Sequence, residues 1–138
     1  MSDYQVSSSP GASPTESNTA VKTVLVVEDD EDIGSFLVHA ISLEMSLQAL
    51  LAPNGYEALE LVERYKPDLF LLDYHLPGIN GIQLYDRLHA KNGLEHVPAV
   101  MISANAPVKE IRQRKITYIK KPFELTDLLQ TIEKLVAR

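Results

Sequence analysis

The sequence predicts an α/β domain built on a doubly wound, five-stranded parallel sheet. Three observations lead there. Short apolar runs at 24–27, 47–51, 69–72, 99–102 and 116–119 alternate with segments whose apolar residues recur at three and four positions. The runs are nearly uninterrupted, as in Leu69-Phe70-Leu71-Leu72, which suits strands covered on both faces better than half-exposed antiparallel ones. Turn-forming residues separate the two kinds of segment, so the order reads β-α five times. In such sheets ligands sit beyond the carboxyl ends of the strands, where the strand order reverses.

Taken in order, residues 1–20 are rich in Ser and Pro with almost nothing apolar to bury, and are expected to be a disordered tail ahead of a domain spanning 21–138. The first run ends in Glu28-Asp29-Asp30. Ile33, Phe36, Leu37, Ala40 and Ile41 follow as a helix stripe expected to face the sheet. After the second run, Pro53-Asn54-Gly55 breaks the chain before a helix carrying Leu59 and Val62, and Lys66-Pro67-Asp68 ends that unit. The third run ends in Asp73, and Leu76-Pro77-Gly78 with Asn80-Gly81 forms a loop before the helix of Leu84 and Leu88. The fourth ends in Ser103. The fifth leads to Lys121 and a last helix with Leu125, Leu128, Leu129, Ile132 and Leu135.

A chain of 138 residues supports one domain with a proper core. Its 13 Lys and Arg against 19 Asp and Glu, a net charge of −6, disfavour a nucleic-acid backbone as the main partner. The absence of Cys and the scattering of four His remove disulfides, thiolate catalysis and the common zinc sites. No Lys or Arg precedes Lys22, no apolar signal region is present, and no apolar run is long enough to span a bilayer. A cytoplasmic protein with no membrane partner is the default expectation.

Four strand ends carry polar chemistry. If the first and third strands are neighbours, two or three carboxylates converge, and like charges that close raise each other's pKa unless a cation joins them. Carboxylate, carbonyl and water oxygens are hard ligands, which favours Mg²⁺.

Four segments, Val24-Leu25-Val26-Val27-Glu28-Asp29-Asp30, Leu72-Asp73-Tyr74-His75-Leu76-Pro77-Gly78-Ile79-Asn80-Gly81, Met101-Ile102-Ser103-Ala104 and Lys120-Lys121-Pro122-Phe123, resemble in order the signature segments of response regulator receiver domains of the CheY-like superfamily. The resemblance covers residues 22–138 and implies a flavodoxin-like (βα)5 fold with strand order 2-1-3-4-5. It also implies that Asp73 accepts the phosphoryl group and binds Mg²⁺ together with Asp29, Glu28 acting mainly through a water and Asp30 standing outside. The backbone carbonyl of His75 would supply another oxygen. Ser103 would bond a phosphoryl oxygen, Lys121 would pair with Asp73 and then with the phosphoryl group, and Tyr118 would be the aromatic rotamer switch. The Lys121–Pro122 bond is often cis in the family. The implied partner is a histidine kinase or histidine phosphotransfer protein, met by a monomer or transient dimer. With the last helix running to Arg138, a stand-alone type is expected, whose output passes through an effector protein that the residues do not identify.

Two departures from the family pattern matter. The segment 104–120 is several residues shorter than usual and lacks the Gly-Ala-Asp turn, so the fourth helix, part of the usual output face, should be shortened or irregular. His75 stands where Asn, Glu or Met is commoner, which bears on the lifetime of an acyl phosphate. Plainer readings stand beside these roles: Asp30 as a helix N-terminal charge, Asp73 as a turn former, Lys121 as a solvated basic edge, Tyr118 as core packing. His39, His89 and His96 are assigned no role. The competing functions are a receiver-like interaction scaffold that is not phosphorylated and an aspartyl-nucleophile phosphatase, although the latter class wants a second Asp where His75 stands.

Overall fold

Ten elements alternate along the chain in a computed structural model that describes residues 21–137; the expectation of a disordered tail falls outside them. The strands are β1 (Thr23–Val27), β2 (Gln48–Ala52), β3 (Leu69–Asp73), β4 (Ala99–Ser103) and β5 (Thr117–Lys120). The helices are α1 (Glu31–Glu44), α2 (Gly55–Leu61), α3 (Gly81–His89), α4 (Val108–Gln113) and α5 (Leu125–Val136). All strands pair in parallel in the order β2-β1-β3-β4-β5, as the resemblance implied. The sequence-predicted runs match these strands to within one residue at each start.

Alternation along the three central strands explains why their runs are apolar throughout. Leu25, Val27, Phe70, Leu72, Ala99 and Met101 face one side, with Ala58 of α2, Leu84 and Leu88 of α3 and Ile111 of α4 packed on them. Val24, Val26, Leu69, Leu71, Val100 and Ile102 face the other, under Leu37 and Ile41 of α1 and Leu128 and Ile132 of α5. The chain therefore winds both ways from β1, and the strand order reverses between β1 and β3.

Helix starts are capped as their residues suggest. The Asp30 side chain accepts from the Ile33 N–H at 3.0 Å, and Asn54 accepts from Glu57 N–H at 2.9 Å. Asn80 and Gln83 form a reciprocal capping box, with bonds of 2.8 and 2.9 Å.

One sequence expectation needs correction. Ile33 and Phe36 do not face the sheet; they are 41% and 56% exposed. Gly34, Leu37 and Ile41 form the inward face of α1, because Gly34 lets the helix close on Leu51: a Cβ there would stand 2.8 Å from a Leu51 methyl. That close approach rotates Ile33 and Phe36 outward. The fourth helix is short, at 6 residues, and Lys115 takes φ 59° in the turn after it, where no glycine is available. Among the described residues no helix is long and apolar enough to cross a membrane.

Candidate functional site

Strand register brings the polar ends together. Val27 pairs with Leu72, so Glu28 and Asp73 follow side by side; Asp73 pairs with Ile102, and Ser103 with Lys120. Backbone bonds carry the ladder past the strand ends, from Tyr74 N–H to the Ile102 carbonyl (3.1 Å) and from Lys121 N–H to the Ser103 carbonyl (3.0 Å). The roots of the loops are thereby held to the sheet.

Carboxylate oxygens of Glu28, Asp29 and Asp73 lie within 4.8 Å of one another. Glu28 and Asp73 are nearly covered, at 5% and 7% exposure, whereas Asp29 is exposed. Burial is the main reason that the Glu28 carboxyl rises from 4.5 to about 7. The Asp30 N–H bonded to it at 3.1 Å opposes the rise, the Asp73 charge adds to it, and the Lys121 charge opposes it. Crowded anions with hard oxygen donors, one of them strained toward its protonated form, are a donor set that suits Mg²⁺.

The two oxygens of Asp73 have different surroundings. Oδ1 accepts from the His75 backbone N–H at 3.0 Å, while Oδ2 stands 4.0 Å from the Lys121 ammonium. The Lys121–Pro122 peptide bond is cis. Ser103, 1% exposed, donates its hydroxyl to the Asn105 carbonyl at 3.0 Å and accepts from the Asn105 N–H at 3.1 Å. Tyr118 is half-buried against the core layer of α3 and α4, and its hydroxyl donates to the Ser103 carbonyl at 3.0 Å. Tyr118 is thus packed on the core and meets Ser103 at its backbone carbonyl, not at its hydroxyl.

Some contributors had no signal in the sequence. The Asn105 carbonyl also accepts from His75 Nε2 at 2.8 Å, which requires that ring nitrogen to carry its hydrogen. This joins the loop after β3 to the loop after β4 through a backbone atom, which no residue type announces. Gly81 is needed because a Cβ would stand 2.7 Å from the Asp73 carbonyl and 2.9 Å from the Tyr74 Cα. His89, assigned no role, has a packing one: Nε2 donates to the Val97 carbonyl at 2.8 Å and its ring lies 4.0 Å from that of Tyr85.

A two-faced parallel sheet with an acidic cluster and a facing lysine at its carboxyl end defines an acid-pocket module of the receiver type. The chain belongs to the response regulator receiver domain family, whose model matches residues 24–133. It is 31% identical over 116 residues to the polar-differentiation response regulator DivK of Brucella anthropi, covering 81% of this chain and 94% of DivK. It is 29% identical to the sporulation initiation phosphotransferase F of Bacillus subtilis, covering 80% of this chain and 90% of that protein. The sensor histidine kinase TmoS of Ectopseudomonas mendocina is 31% identical, but the chain spans only 12% of its length. The chemotaxis protein CheY4 of Vibrio cholerae superposes with a TM-score of 0.78 at 22% identity, over 84% of this chain and 99% of that one. A Francisella response regulator receiver domain does so at 0.75 and 26%, over 85% and 98%. This is therefore a receiver domain of two-component signalling, a family in which an aspartate is typically phosphorylated. Such modules typically bind Mg²⁺ in an acidic pocket and interact with histidine kinases or phosphotransfer proteins.

Proposed function

We propose that Asp73 is the phosphoacceptor, charged by a histidine kinase or histidine phosphotransfer protein, and that residues 21–138 form a cytoplasmic receiver unit that passes the signal to a partner. The observation that carries this is the convergence of Glu28, Asp29 and Asp73 within 4.8 Å, with Lys121 Nζ 4.0 Å from Asp73. Glu28, Asp29, Asp73 and the His75 carbonyl would hold Mg²⁺, which when bound lends positive charge to the phosphoryl oxygens.

An Asp73 carboxylate oxygen attacks phosphorus, forming the O–P bond as the P–N bond to the donor imidazole breaks and its electron pair returns to that ring. The Lys121 ammonium neutralises charge brought by the phosphoryl oxygens. Ser103, whose hydroxyl rests on the Asn105 carbonyl, exchanges that acceptor for a phosphoryl oxygen. Tyr118, bonded to the Ser103 carbonyl, carries the change to the face of α4 and β5.

Incubation with acetyl phosphate and Mg²⁺ followed by intact mass measurement tests the proposal. One phosphoryl group should appear on the wild type and be lost in Asp73→Asn. An adduct that persists in Asp73→Asn, or none on the wild type, refutes it.

A further inference from the structure

Helix α2 carries an aromatic side chain that its core packing does not require. Ala58 is buried in the core layer and Leu59 and Leu61 pack against it, whereas Tyr56, in the first turn, is 53% exposed. Its ring lies instead over Gly78, in the loop between β3 and α3. A Cβ on Gly78 would stand 2.8 Å from Tyr56 Cε2, 3.6 Å from its hydroxyl oxygen and 3.7 Å from Cζ; apart from the glycine's chain neighbours, no atoms are nearer. Gly78 takes φ 80°, and both it and Pro77 are exposed, so the tip of the loop has no buried side chain of its own to hold it.

The same loop bears His75. Leu76 N–H and Gly81 N–H both donate to the Tyr74 carbonyl, at 3.0 and 2.9 Å, and His75 is tied to Asp73 Oδ1 and to the Asn105 carbonyl. Beyond these ties the loop leans on the start of α2. Ile79 crowds Gly55 so closely that a Cβ there would stand 2.6 Å from Ile79 Cδ1, and Tyr56 over Gly78 is the second contact of that wall. Mg²⁺ tolerates little departure from octahedral geometry, and a backbone carbonyl ligand is only as well placed as the loop that bears it. We propose that Tyr56 is a positioning residue, whose ring braces the turn at Gly78 and so holds the His75 carbonyl where Mg²⁺ needs it. This deepens the proposed function and rests on its assignment of that carbonyl as a ligand. Tyr56 acts through the loop, as a packed ring and not as a ligand. A ring carbon, not the hydroxyl, makes the nearest contact, so Phe can take its place and Ala cannot.

The test is a Mg²⁺ titration of the full chain, labelled with ¹⁵N and followed by backbone amide shifts, with urea unfolding in chelator on the same samples. Tyr56→Ala should bind Mg²⁺ at least about threefold more weakly than the wild type, and Tyr56→Phe within about 1.5-fold of it. Should Tyr56→Ala fail to fold, Tyr56→Leu, which keeps apolar bulk without the flat ring, should weaken binding about twofold. Leu129→Ala, on α5 across the sheet, should lower stability and leave Mg²⁺ affinity as it was. Wild-type affinity in Tyr56→Ala or Tyr56→Leu overturns the inference. So does an equal loss in Tyr56→Phe or in Leu129→Ala, or a wild type that binds no Mg²⁺. Acetyl phosphate labelling of the same samples keeps the two readings apart. A labelled wild type with unchanged Mg²⁺ affinity in Tyr56→Ala sinks the brace alone. Weakened Mg²⁺ binding in Tyr56→Ala with no labelling of the wild type supports the brace and sinks the phosphoacceptor reading.

Discussion

Replacing Glu28 by Gln should make the cation-free protein more stable above neutral pH. The Glu28 carboxyl stands at about 7 in the fold against an ordinary 4.5, chiefly through burial. Because the folded value is the higher one, the unfolded chain releases this proton first. Stability therefore falls as pH rises from about 4.5 to about 7 and is level beyond; the penalty is absent below that window and complete above it. At about 1.4 kcal/mol per unit, the gap sets a ceiling of about 3.5 kcal/mol on the penalty. Gln keeps an oxygen for the Asp30 N–H at 3.1 Å and turns an amide donor toward Asp73 in place of a second charge. Urea unfolding in a chelator should thus show Glu28→Gln more stable by about 1–3 kcal/mol at alkaline pH, with the gain shrinking toward zero near the bottom of the window. Added Mg²⁺ should stabilise the wild type more than the variant, since the variant has one carboxylate fewer to offer. No gain in chelator at alkaline pH, or a gain of the same size at acid pH, would refute the argument that buried charge is what strains the pocket.

Other perturbations read different parts of the fold. Gly81→Ala places a methyl against the Asp73 carbonyl and Tyr74 Cα, backbone that cannot yield, and should cost about 2–3 kcal/mol in denaturant unfolding; a neutral result would mean that α3 can shift away from β3. Asn80→Ala removes the capping box and should cost about 1 kcal/mol, most of it recovered by Asp at the same position. Arg114→Ala breaks an exposed pair with Asp86, so the expected loss stays under about 1 kcal/mol and vanishes in high salt; a much larger loss would assign the turn after α4 a bigger share of stability. His75→Asn withdraws the ring from the Asn105 carbonyl and opens that rim to water, and should shorten the lifetime of phosphorylated Asp73 by about threefold or more, followed by loss of the labelled mass. Equal lifetimes would dismiss the ring as an influence.

Much of the architecture is local and so was legible from residues alone. Leu69-Phe70-Leu71-Leu72 has no polar face and can only be a strand covered twice. Asn80 with Gln83 announces a helix start whatever lies nearby. Asp30 capping α1 is likewise a matter of three residues of spacing. The acids at 28, 29 and 73 and the lysine at 121 could be picked out because each stands just past an apolar run.

Other properties depend on distances between segments far apart in the chain, and only the tertiary structure decided them. Which side of α1 turns inward was settled by Gly34 meeting Leu51, not by helical period, so Ile33 and Phe36 ended outside. Glu28, whose N–H carries the ladder on to the Ala52 carbonyl of β2, is covered while its neighbour Asp29 is exposed, and this burial is what lifts the Glu28 carboxyl. The grip of one backbone carbonyl at Asn105 on both Ser103 and His75 required β3 and β4 to be set in register first. Period and capping act over a few residues and are written in the order of side chains; burial and electrostatic coupling arise only when strands bring distant residues within a few ångströms.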